Sequence, residues 1–123
     1  MIGHLKHPDL ILKSSHFINN AHNGINATNL HSLVQVNETT IRNNEMNGIH
    51  VQAGAGDLSL YHSNVESNSM NGINMTYAGG LKEFNYSHIA HNSLYGIYIN
   101  YDVHQELDNL FQNTTINSSI VES

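Results

Sequence analysis

The chain has no cysteine and no tryptophan, a single proline, and only four basic residues among 123. Without cysteine there is no disulfide framework, no thiolate metal site and no cysteine nucleophile. The four cations, Lys6, Lys13, Arg42 and Lys82, leave a formal net charge of −6. A phosphate backbone needs a basic surface to displace its counterions. Nucleic acid is therefore not an expected partner, and neither is an anionic membrane surface. No run of about 18 apolar residues occurs, so no segment is expected to insert into a membrane. The opening MIGHLKHPDLILK mixes His, Pro, Asp and Lys into a short apolar stretch and does not read as a signal peptide. Charged residues make up 11% and hydrophobic ones 39%, which does not fit a charged disordered chain.

Asparagine is abundant instead, at 19 residues, with nine glycines beside it. Both types tolerate tight turns and left-handed backbone. They recur at a fixed interval. MNGIH at 46–50 returns as MNGIN at 70–74, and Gly-Ile pairs start at 24, 48, 72 and 96. Cutting the chain at 17, 41, 65 and 89 gives four rows of 24 residues. One column is Phe17, Ile41, Val65, Ile89, and another is Leu12, Val36, Leu60, Phe84. Asn20, Asn44, Asn68 and Asn92 form a third, and Ile25, Ile49, Ile73 and Ile97 a fourth.

Ile49 and Val51 flank His50, Ile73 and Met75 flank Asn74, and Ile97 and Ile99 flank Tyr98. This alternation marks a strand with one buried face. Three short strands and three turns per 24 residues predict one coil of an all-β parallel solenoid, with coils stacked about 4.8 Å apart. Each coil buries its apolar side only against its neighbours. The Ile25/Ile49/Ile73/Ile97 column is expected to be an aliphatic spine, each buried isoleucine contributing roughly 1.5–3 kcal/mol. The preceding glycine suits a sharp entry into the strand, where a β-carbon would clash. The asparagine column suits a ladder of stacked amides, against a background preference of asparagine for turns. A leucine-rich repeat of similar period needs several fixed leucines, which are absent, and no stretch keeps helical apolar spacing.

The predicted domain covers 1–123, in about four to five coils beginning near 17, 41, 65 and 89. The last coil is irregular: VNETTI at 36–41 matches FQNTTI at 111–116 only with three extra residues near 102–109. Both ends cut across a coil and no polar cap is visible, so a piece of a longer solenoid is expected.

The pattern Asn-x-x-x-Gly-Ile-x-apolar, preceded by a short apolar strand, resembles the right-handed parallel β-helix repeat of the pectin-lyase-like superfamily over nearly the whole chain. That fold hosts lyases, hydrolases, epimerases, adhesins and non-enzymes. Within it, NGINMTYAGGLKEFNYSHIAHNSLYGI at 71–97 looks like the extracellular β-helix regions of the animal protein bark beetle family. This resemblance implies an ectodomain on the outer side of the plasma membrane, with a role in maturing or maintaining septate and tricellular junctions. Other cell-surface proteins or glycans are then the implied partners. The CUB, scavenger-receptor and lectin-like modules of that family have cysteine patterns that are absent here, so only part of an ectodomain is matched.

Six N-glycosylation sequons occur, at Asn26, Asn37, Asn74, Asn85, Asn113 and Asn117. Random placement of 19 Asn with 18 Ser and Thr gives roughly three. Asn26 and Asn74 share an outward column between inward residues, and Asn37 and Asn85 share another. The aspartates Asp9, Asp57, Asp102 and Asp108 form no adjacent pair. Clustered acids of the kind glycoside hydrolysis uses are not evident. Asp57 and Asp102 read as turn aspartates. The ten histidines show no recognised metal-ligand spacing. The tyrosines Tyr77 and Tyr101, with Tyr98, read either as an exposed binding stripe or as strand-stabilising aromatics. The expected protein is therefore non-enzymatic, without catalytic residues, cofactor or metal. A fragment of a carbohydrate-active β-helix enzyme and a microbial surface adhesin are the alternatives.

Overall fold

The computed structural model describes residues 10–28, 33–52, 57–76, 80–100, 111–112, 115–116 and 120–122. Among these there is no helix. Strands follow in triplets. The first comprises β1 (Leu10–Lys13), β2 (His16–Ile18) and β3 (Ile25–Thr28), and the second β4 (Val34–Asn37), β5 (Thr40–Arg42) and β6 (Ile49–Gln52). Then come β7 (Asp57–Tyr61), β8 (Asn64–Glu66) and β9 (Ile73–Thr76), and next β10 (Gly80–Asn85), β11 (His88–Ala90) and β12 (Ile97–Asn100). The last triplet is β13 (Phe111–Gln112), β14 (Thr115–Ile116) and β15 (Ile120–Glu122). Every third strand pairs in parallel, which gives three five-stranded sheets: β1-β4-β7-β10-β13, β2-β5-β8-β11-β14 and β3-β6-β9-β12-β15. The chain is a parallel β-solenoid.

The register joins like to like. Ile25 lies on Ile49, Ile49 on Ile73, and Ile73 on Ile97. Leu12, Val36, Leu60 and Phe84 stack in the first sheet, and Phe17, Ile41, Val65 and Ile89 in the second. Strand pleating sends alternate side chains inward, and the inward ones form one apolar column of core. Ile49, Ile73 and Ile97 are fully buried and Ile25 is 6% exposed. Val36, Leu60, Phe84, Ile41, Val65 and Ile89 are also fully buried.

Three departures break the 24-residue step. Leu81 pairs with Leu58 and Glu83 with Ser59, so a bulge at Lys82 restores a register that had slipped by one residue. Further on, Phe84 pairs with Phe111 and Ile89 with Ile116, steps of 27. The extra three residues fall between Asn100 and Phe111, within a segment outside the described residues. Ile97 then pairs with Ile120, a step of only 23. The last corner is four residues shorter than its predecessors, since Ile116 to Ile120 replaces the span from Ile89 to Ile97.

Candidate functional site

Two of the three corners are described throughout their regular turns. The first joins the first sheet to the second through two residues: Ser14-Ser15, Glu38-Thr39, His62-Ser63 and Tyr86-Ser87. The leading residue is left-handed each time, with φ of 48° at Ser14, 49° at Glu38, 47° at His62 and 50° at Tyr86. None is glycine, although this backbone costs an ordinary residue roughly 1–2 kcal/mol. The corner offsets that cost by using its polar groups. The N–H of Glu38 donates to the Tyr61 carbonyl at 2.9 Å, and that of His62 to the Asn85 carbonyl at 3.0 Å. The second residue supplies a hydroxyl. Thr39 N–H donates to Ser63 Oγ at 3.1 Å, and Ser63 N–H to Ser87 Oγ at 3.2 Å. Each hydroxyl in turn donates to the carbonyl two residues before it, Thr39 to Asn37 and Ser63 to Tyr61.

The second corner has six residues and holds the asparagine column. Asn44 donates from both its N–H and its Nδ2 to Asn68 Oδ1, at 3.1 and 2.9 Å, and Asn68 does the same to Asn92 at 3.0 and 2.9 Å. The second Nδ2 hydrogen points to a carbonyl of the preceding turn, Phe17 for Asn44 and Ile41 for Asn68. Asn44 is 0% and Asn68 1% exposed. A buried carboxamide is tolerated because its donors and acceptor all find partners. Asp and Ser lack the second donor this geometry uses.

The glycines answer to the same ladder. A β-carbon on Gly48 would lie 2.8 Å from Asn68 Nδ2, 2.6 Å from Val65 Cγ1 and 2.7 Å from the Gly72 carbonyl oxygen. None of Gly24, Gly48 or Gly72 has a left-handed φ. Glycine is there for close approach, and the sharply turned backbone belongs to non-glycine residues. The expectation that a β-carbon would clash at these glycines is borne out.

A second amide ladder went unread in the sequence. Asn47 donates from N–H and Nδ2 to Asn23 Oδ1 at 3.0 and 3.1 Å, and Asn71 does so to Asn47 at 3.1 Å for both. The column ends at Tyr95, whose N–H donates to Asn71 Oδ1 at 3.0 Å. The signal was three identical residues at 24-residue spacing. This ladder donates toward earlier turns, whereas the Asn20–Asn92 ladder donates toward later ones. Their amide dipoles therefore oppose one another along the axis.

The outer face of the first sheet carries a groove of about 290 Å³ beside the two-residue corner. The stacked Lys13, Asn37 and Tyr61 line it, with Gln35 and the left-handed Ser14, Glu38 and His62. Gln35 Nε2 donates to Asn37 Oδ1 at 3.2 Å. The Tyr61 hydroxyl donates to Glu83 Oε2 at 2.6 Å, and Asn85 Nδ2 to Glu83 Oε1 at 3.1 Å. The Glu83 hydrogen bond, then burial and the carboxylate charge, push the Tyr61 phenol above its ordinary value of 10.0. Tyr61 therefore stays a hydrogen-bond donor at neutral pH. His62 and Tyr86 stack with ring centroids 4.9 Å apart and planes 5° from parallel. The groove presents amide, carboxylate, ammonium and flat-ring groups on one rigid wall. Such groups can offer hydrogen bonds and ring contact to a polar molecule.

The sequon asparagines are placed unequally. Asn26 is exposed, and Asn37, Asn74 and Asn85 are half-buried. Asn74 Oδ1 accepts from the Thr76 hydroxyl at 3.2 Å. Asn85 Oδ1 is buried and lacks a partner among the described residues. Asn113 and Asn117 lie outside the described residues, as do Tyr77, Tyr101 and Asp102. Thr39 and Ser87, the hydroxyl residues of two sequons, belong to the hydroxyl ladder. Those two sequons therefore have a structural origin whether or not they are modified. Among the described residues, no group of three or more His, Cys, Asp or Glu is arranged to hold a metal ion, and no helix is long and apolar enough to cross a membrane. Compared with family models, curated proteins and solved structures, the chain finds no match in any of the three.

Proposed function

We propose that the chain is a rigid, non-catalytic solenoid segment of a cell-surface protein, of the pectin-lyase-like type, which presents its outer wall to other surface proteins or glycans. One observation carries this reading. The polar residues that repeat from turn to turn are consumed by the scaffold, while the outward positions vary. Asparagine and hydroxyl columns bond turn to turn. The outward column Asn26, His50, Asn74, Tyr98 changes at every step. A repeat that keeps its inside constant and varies its outside is a display scaffold, and solenoids offer extended surfaces of this kind. The groove lined by Gln35, Asn37 and Tyr61 is the face assigned to the partner.

The narrower role, at septate or tricellular junctions of epithelia, rests on the bark beetle resemblance of residues 71–97. On that reading Asn26 is the most accessible to a glycan among the described sequon asparagines. The test is to label the tagged native protein on intact epithelial cells. Antibody staining at cell contacts without permeabilisation, with a glycan on the Asn26 peptide, is the expected result. Staining only after permeabilisation, with an unmodified Asn26, would overturn the extracellular assignment. Release of reducing or unsaturated sugars from polyuronides would overturn the non-catalytic one.

A further inference from the structure

Asn23, Asn47 and Asn71 are each followed by glycine, so three Asn-Gly pairs are stacked in one corner. An Asn-Gly pair is chemically vulnerable because the glycine nitrogen has no side chain shielding it and its backbone moves freely. The nitrogen gives up its proton and bonds to asparagine Cγ. The Cγ–Nδ2 bond breaks, and ammonia leaves carrying that proton. Water then adds across either imide C–N bond of the succinimide, which leaves aspartate or isoaspartate.

We infer that this column is a set of latent deamidation sites which the stack holds shut and which, once opened, record the opening irreversibly. The fold restrains both reacting groups. The glycine N–H groups are bonded to the next turn, Gly24 to the Asn47 carbonyl at 3.1 Å, Gly48 to Asn71 at 3.0 Å and Gly72 to Tyr95 at 2.9 Å. The asparagine amides are fixed in their own ladder, Asn47 Nδ2 on Asn23 Oδ1 and Asn71 Nδ2 on Asn47 Oδ1, both at 3.1 Å. Attack of Gly48 N on the Asn47 amide requires that both sets of bonds break, which means that the turn opens. Asn47 and Asn71 are 2% and 5% exposed, while Asn23 is half-buried.

The product cannot return to its place. An aspartate at 47 would set a carboxylate oxygen against Asn23 Oδ1, acceptor against acceptor, and bury a charge. An isoaspartate adds a backbone atom between two strands whose register is fixed turn by turn. The aspartate removes the Nδ2 donor, and the isoaspartate displaces the acceptor that Asn71 uses, so either change breaks the ladder.

The experiment is peptide mapping by mass spectrometry of the full chain, aged in mildly alkaline buffer with and without denaturant. Conversion at Asn47 and Asn71 is expected to be at least about tenfold slower in the folded chain, the factor that an opening free energy of about 1.4 kcal/mol gives. Asn23 should fall between the folded and denatured rates. Equal rates at Asn47 and Asn71 in both samples would overturn the protection. Denaturant-aged chains are then refolded and separated by size. Converted Asn47 should concentrate in the unfolded fraction, and an equal share in both fractions would overturn the irreversibility. Neither readout depends on a partner or a cellular location, so this inference and the proposed function fail separately.

Discussion

The two described corners solve one problem in different ways. Both turn the chain from one sheet into the next while bonding backbone groups to the turn above or below. The six-residue corner does it with carboxamides, whose reach and paired donors span a full turn. The two-residue corner has no room for them and uses a hydroxyl instead, while both corners open on a left-handed residue. The difference is one of chemical exclusivity. Only asparagine meets the first set of demands, and only glycine leaves space beside it. Serine and threonine serve equally in the second, and the left-handed site holds Ser14, Glu38, His62 and Tyr86 in turn. Chemical tolerance makes a column hard to see in the letters, even where its geometry repeats to within a few degrees.

Substitutions can test whether the corners differ in energy as they do in chemistry. The largest effect is expected at Asn68→Ala, which strips the shared acceptor from the Asn44 N–H and Nδ2. Two buried donors left unmatched cost about 2–6 kcal/mol, measurable as a lowered urea midpoint. Gly48→Ala comes next, at about 1–3 kcal/mol, since one of its clashes is with a backbone carbonyl that cannot swing away. Ser63→Ala removes the acceptor of one N–H, that of Thr39, and should cost about 1–2 kcal/mol. If Ser63→Ala destabilises as much as Asn68→Ala, the contrast between the corners is lost.

Glu38→Gly should raise stability, by roughly 0.5–1 kcal/mol, because relief of left-handed strain exceeds the added freedom of the unfolded chain. The same change at Asn43, whose φ is 57°, should be nearly neutral, since asparagine already tolerates this backbone. Matched thermal melts of the two variants check the pair. The smallest effect is alkaline. The folded pKa of Tyr61 lies above its unfolded value, so its contribution is complete below pH 10.0 and declines as the phenol ionises at higher pH. Tyr61→Phe should flatten the top of a stability-versus-pH curve, and an unchanged alkaline limb would show that the Glu83 bond adds nothing.

These contrasts show why some of the molecule was legible and some was not. The isoleucine spine and the glycine column could be read because stacked inward positions accept few residue types. The Asn23–Asn47–Asn71 column carried an equally plain signal, but it stops at Tyr95 and sits where asparagine is common anyway. The hydroxyl ladder was visible only as sequons, which gave Thr39 and Ser87 a different meaning. The groove was not legible at all. Its walls are outward residues from three turns; the 24-residue step puts Lys13, Asn37 and Tyr61 in one column, but their types differ at each step and nothing in the letters marks them as one wall.

The sequence by itself determined the period, the all-β stack and which face of each strand is buried, because a packed interior restricts side chains by volume and polarity. Only the tertiary structure decided the direction of each amide ladder, the bulge at Lys82, the left-handed corners and the groove at Tyr61. These depend on hydrogen-bond geometry between residues 24 apart, and that geometry exists only once the turns lie on one another.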